Sequence, residues 1–200
     1  MSKMDTQIKS RERVRDLAEV FTAEREVNAM LDLLGDINLN LTARYLEPAC
    51  GNVNFLVAIL ERKMKVILSS KRKQREFEFM TLQAVASIYG VDIMQDNILQ
   101  ARDRMRVMVV DAYSEHLNTL KANDGFYPAL DLILETNVQV GDMLNGVGKL
   151  VMTEFTTPKP NHFARARFRL EEMMRRPGEL QAPLKPIERL PSTPYWRLAP

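Results

Sequence analysis

The sequence predicts an α/β fold built on a parallel sheet, and three stretches carry that expectation. Arg44–Leu56 runs from an extended apolar piece through a small-residue turn, Ala49-Cys50-Gly51-Asn52, into a helix-period pattern led by Phe55, Leu56, Ala58 and Ile59. Ser87–Asp92 is a second apolar run; it ends in an acid and leads through Ile93 and Met94 into another helical pattern. Asn137–Val140 is a third, closed by Gly141-Asp142. Strands that alternate with helices pair in parallel, because each crossover helix returns the chain to the same end of the sheet. Helices are expected on both faces of that sheet. The expected domain covers residues 1–176, with its core over 36–145, followed by an extended Pro-rich tail over 177–200.

Composition sets the limits. The chain of 200 residues suits one domain, and 46% hydrophobic residues can fill a sizeable core. Its amino terminus is polar and mixed in charge, unlike a signal peptide, and it has no apolar run long enough to cross a membrane. A single cysteine excludes an internal disulfide and fits a cytoplasmic location. With a net charge of only +2, any contact with DNA has to come from local basic patches.

Taken in order, Ser10–Val20 reads as a short helix with Val14 and Leu17 on one face. Thr22 is a plausible N-cap for a second helix, with Glu24 and Glu26 in its first turn. In that helix Val27, Met30, Leu31 and Leu34 recur at helical spacing, and Gly35 stops it. After the Phe55 helix comes the basic run Lys71-Arg72-Lys73-Gln74-Arg75, then an amphipathic helix carrying Phe77, Met80, Leu82 and Val85. The basic run reads as a solvated face, with phosphate contact as the alternative. The helix after Asp92 continues through Val107, Val110, Tyr113 and Leu117, and Pro128 opens another beyond Asp124-Gly125. Lys149–Phe155 and His162–Leu170 read as a hairpin or two edge strands. There Arg165, Arg167 and Arg169 share one face, which is solvated or meets phosphate. Six prolines between Pro177 and Pro200 mark the tail, with Tyr195 and Trp196 as docking anchors.

The turn after the first strand carries the chemistry. Backbone N–H groups at a helix N-terminus, beside the carboxyl end of a strand, suit small anionic or zwitterionic ligands, and Glu47 offers an acceptor for an amine or hydroxyl. An ordinary strand–helix connection is the plain alternative. Leu46-Glu47-Pro48-Ala49-Cys50-Gly51-Asn52-Val53-Asn54-Phe55 resembles motif I of the adenine-N6 DNA methyltransferases, enzymes of the Rossmann-like class I S-adenosylmethionine fold. Glu47, Pro48, Ala49, Cys50, Gly51 and Phe55 match, while Val53 stands where the family has its second glycine. Phe21-Thr22 resembles motif X. Tyr89-Gly90-Val91-Asp92 with Asn97-Ile98 and Ala101-Arg102 resembles motif II, and Gly141-Asp142 resembles motif III. The resemblance covers Ser10 to Leu144.

The resemblance implies S-adenosylmethionine as cofactor. Phe21 and Thr22 would lie near its methionine end; Glu47, Pro48, Ala49, Gly51 and Phe55 would form its turn; Asp92, next to Ile93, would hold its ribose and Asp142 its adenine amino group. It also implies methyl transfer to adenine N6 in DNA, in restriction-modification or in protecting viral DNA from it. The family's Asn-Pro-Pro-Tyr motif, which grips the flipped base, does not occur here. Fewer than 60 residues follow Asp142, too few for four more strands with their helices at ~30 residues per unit. The sheet is therefore expected to be truncated, and a partner chain to supply what is missing. The other reading is a catalytically inactive S-adenosylmethionine-fold protein that binds and regulates or inhibits a restriction or defence complex. His116 and His162 lack ligand-spaced partners, so no metal site is expected.

Overall fold

The computed structural model describes residues 22–51, 53–119, 121–174 and 184–200. The Ser10–Val20 helix and Phe21 lie outside the described residues. In chain order the elements are α1 (Glu24–Asp32), β1 (Tyr45–Glu47), α2 (Asn54–Leu68), α3 (Gln74–Ala86), β2 (Ile88–Asp92), α4 (Gln95–Leu117), α5 (Phe126–Asn137) and β3 (Val138–Val140). A second group follows: β4 (Val151–Thr156), β5 (His162–Arg169), α6 (Leu170–Met173) and β6 (Glu188–Pro194).

The expected α/β fold is present: β1, β2 and β3 form a parallel sheet in that order. The helices that connect its strands, however, do not divide between the two faces. The chain advances in one direction across the sheet, and right-handed crossovers then put every crossover helix on the same side. On that side Ile88 and Val138 join a core with Leu56, Leu60, Ile98, Met105 and Ile133. Gly90 lets the helical layer approach, because a Cβ there would meet Leu56 Cδ1 at 2.6 Å. The opposite face, with Tyr89 and Val91, packs on Leu150, Met152 and Leu170, and the Tyr89 hydroxyl donates to the Thr153 carbonyl at 3.2 Å. A small antiparallel sheet, β4-β5-β6, thus covers the face where a doubly wound fold would place helices.

Glu188–Pro194 is extended but is paired with β5 as β6. Tyr195 is fully buried within the molecule, so the expected docking anchor docks on its own chain. In α1 only Val27 and Leu31 are buried, while Met30, and Leu34 beyond the helix end at Asp32, face solvent, because a single i, i+4 ridge meets the rest of the molecule. Ala23 rather than Thr22 occupies the N-cap, with no side-chain cap bond.

Candidate functional site

The carboxyl ends of the three parallel strands bring the sequence candidates to one rim. Glu47 ends β1, Asp92 ends β2, and Gly141-Asp142 follows β3. The turn after β1 is pinned to β2, since the Cys50 N–H donates to the Val91 carbonyl at 2.9 Å. The Gly51 N–H donates to Asp92 Oδ2 at 2.8 Å. Gly51 and Val53 both adopt left-handed backbone, with φ of 47° and 73°. Val53 therefore takes the conformation that glycine favours, although its branched Cβ opposes it.

Asp92 is buried and heavily engaged. Besides the Gly51 N–H, its Oδ1 accepts from the Met94 N–H at 2.8 Å and from Asn97 Nδ2 at 3.1 Å. A carboxylate offers about four acceptor positions, so about one remains, on Oδ2. Asp142 is spent in the same way on its own loop: it accepts from the Leu144 and Asn145 N–H groups and from Asn145 Nδ2. Those bonds, chiefly with Asn145, hold its carboxyl below the usual range. Glu47 is half-buried; burial raises its carboxyl above the usual range, against one N–H bond from Ala49. Burial, reinforced by Asp92 and Glu47, pushes the Cys50 thiol up to about 12, so it stays protonated and is no nucleophile.

Thr22 reaches this rim, with its carbonyl accepting from Asn54 Nδ2 at 2.8 Å at the start of α2. Phe55 is half-buried against the helical core, Pro48 and Ala49 are exposed, and Ile93 faces solvent. The basic residues divide. Arg72 bonds the Ile67 carbonyl and Glu76, and Arg75 lies over the Trp196 ring at 5.2 Å. Arg165 donates to the Leu198 carbonyl, and Arg167 pairs with Glu188. Lys71, Lys73 and Arg169 are exposed. Arg75 and Arg165 thus hold the carboxyl-terminal turn. Among the described residues no group of acids, histidines and cysteines could hold a metal, and no helix is long and apolar enough to cross a membrane.

No family model, no curated protein and no solved structure matches the chain.

Sequence alone could not reveal how fully Asp92 is engaged. That engagement arises from Asn97 five residues on and Gly51 forty-one residues back, and only the folded turn brings these together. Nor could it assign Val53 its backbone. Val53→Gly would relieve left-handed strain of about 1–2 kcal/mol. It would also lose a fully buried side chain, worth about 1.5–3 kcal/mol, and add chain entropy of about 0.5–1 kcal/mol to the unfolded state. Burial wins, so the variant should be less stable by about 1–2 kcal/mol in urea denaturation. A gain in stability would show that strain dominates this turn.

Proposed function

We propose that the chain is a DNA methyltransferase-like protein whose strand ends bind S-adenosylmethionine and whose partner chain supplies the groups that grip the target adenine. The observation that carries this reading is the convergence of Glu47, Asp92 and Asp142 at the carboxyl ends of three adjacent parallel strands, the place where open α/β sheets bind ligands. The left-handed backbone at Val53 supports it, since strain of this kind gathers at ligand-binding turns.

The residues fit the cofactor in a restricted way. Glu47 would accept from its amine. Asp92 has one acceptor position left, enough for one ribose hydroxyl rather than two. Asp142 has one left for an adenine amino group. Once bound, the cofactor supplies an electrophilic methyl group. The chain's own part is to orient it at the rim; the base-gripping groups are the partner's.

The engagement of Asp92 favours a second reading, in which the fold is kept for binding and the chain regulates or inhibits a restriction or defence complex. Calorimetric titration of S-adenosylmethionine into the wild type and Glu47→Ala separates the two. Asp92→Ala is the poorer probe because it releases three internal bonds. The expected result is saturable binding by the wild type, weakened at least about tenfold in Glu47→Ala at unchanged melting temperature. Radiolabelled methyl transfer to DNA should then appear only with the partner added. Absence of binding by the wild type would remove the methyltransferase reading and leave the regulatory one.

A further inference from the structure

The outer face of the helical layer carries a groove along α2 and α4, beginning beside the strand-end rim. Its volume is about 600 Å³, and Met64, Leu68, Val107, Met108 and Ala112 form its apolar floor. Val107, an apolar side chain of this lining, is 47% exposed. The rim has the opposite character, with four carboxylates, Glu61, Asp103, Asp111 and Glu115, against two cations, Lys65 and Arg104. Lys65 is already paired with Glu61 at 3.0 Å, and Arg104 donates to Asn54 Oδ1 at 3.2 Å. The groove is therefore locally acidic on a chain whose net charge is +2.

We propose that this groove docks a basic amphipathic helix of a partner protein. Two neighbouring helices with an apolar floor and charged rims form the receptor for helix-in-groove recognition, read by the partner at i, i+3, i+4 and i+7. Asp103, Val107, Asp111 and Glu115 follow one another at four-residue steps along α4, and the series spans about 18 Å at ~1.5 Å per residue. That length accommodates a helix of roughly 12 residues. Its apolar face would cover Val107 and Met108, and Lys or Arg one turn apart would face Asp111 and Glu115. Excess carboxylate on the rim selects basic flanks and rejects acidic ones, because like charges at close range are repelled.

The test uses the full chain and a fluorescein-labelled helical peptide with a Leu face and Arg flanks, beside a counterpart with Glu in place of Arg. Fluorescence anisotropy should show saturable binding of the Arg peptide, at least about tenfold tighter than the Glu peptide. Asp111→Lys with Glu115→Lys should weaken it at least about tenfold, and Val107→Glu should do the same with circular dichroism unchanged. No saturable binding by the wild type overturns the proposal. So does unchanged binding in Val107→Glu, which would mean charge attraction without a docked helix. A concentration-dependent dimer that Val107→Glu abolishes would assign the groove to a second copy instead, and would also overturn it.

Discussion

Replacing Glu78 with alanine is expected to lower the melting temperature by about 10 °C, at roughly 2–4 °C per kcal/mol for a chain of this size. Glu78 has no solvent exposure. Its Oε1 accepts from Tyr113 Oη at 2.7 Å, the Asn123 N–H at 2.9 Å and Gln74 Nε2 at 3.2 Å. Its Oε2 accepts from Asn123 Nδ2 at 2.9 Å and from the Tyr195 hydroxyl. One side chain thus ties α3 to α4, to the loop before α5 and to the carboxyl-terminal turn. Alanine would strand several buried donors at about 1–3 kcal/mol each, so a total near 4 kcal/mol is a conservative expectation. Tyr195→Phe removes one donor and should cost only about 1–2 kcal/mol. Its effect should nearly vanish in the Glu78→Ala background, as a double-mutant cycle would show.

The same cluster sets the alkaline limit. Burial, then the bond to Glu78, holds the Tyr113 and Tyr195 hydroxyls above the usual range; burial raises Tyr45 and Tyr127 and brings Tyr89 to about 12. These five are all the tyrosines. Unfolded tyrosine titrates near ~10. Above that pH the unfolded chain releases protons that the folded chain keeps, so stability falls as pH rises. Tyrosinate absorbance should therefore appear together with loss of helical circular dichroism. Free titration of Tyr113 or Tyr195 in the intact fold would show that the cluster is open.

The parallel sheet was legible because each strand ends in a signal that survives without tertiary context: Glu47 before a small-residue turn, Asp92 before a helix, Gly141-Asp142 after an apolar run. The hairpin showed in the alternation from Phe163 to Arg169. What could not be read was which polar residues turn inward. Glu78 and Lys63 sit in amphipathic patterns where a charge ordinarily marks the solvent face, and nothing local shows that Tyr195 or the loop at Leu41 will cover them. The prolines after Pro177 suggested an extended tail because proline interrupts sheets. At a sheet edge it need only give up an outward N–H, and β6 accommodates Pro191 and Pro194 as an edge strand. The sidedness of the helices is a property of strand order, which no motif encodes.

Lys63 is the second residue whose replacement should have a large effect, and its effect depends on pH. Its ammonium is fully buried and bonds the Leu41 carbonyl at 3.0 Å, the Ala43 carbonyl at 2.7 Å and Ser87 Oγ at 2.6 Å, closing the amino ends of β1 and β2 onto α2. Burial pushes the amine down to about 7. Unfolded lysine titrates near ~10.4. Between these values the unfolded chain holds a proton that the folded chain has released, so stability rises with pH from about 7 upward; below 7 both states are protonated and the dependence ends. The slope for one proton is about 1.4 kcal/mol per pH unit, so the wild type should gain roughly 2 kcal/mol between pH ~7 and ~8.5. Above that range Cys50 acts in the opposite direction, because its thiol, at about 12 in the fold, titrates at ~8.5 when unfolded. Lys63→Met keeps the apolar volume and removes the titrating group. It leaves the Ala43 carbonyl without its donor, and leaves the Leu41 carbonyl to share the single Ser87 hydroxyl proton with the Ala84 carbonyl. Urea denaturation at pH 6.5 and 8.5 should give a rise for the wild type and a flat profile for Lys63→Met, with the variant about 2 kcal/mol less stable at the higher pH. Three acceptors also match the three donors of the charged ammonium. A flat wild-type profile would therefore mean that these bonds, rather than burial, decide the protonation of Lys63.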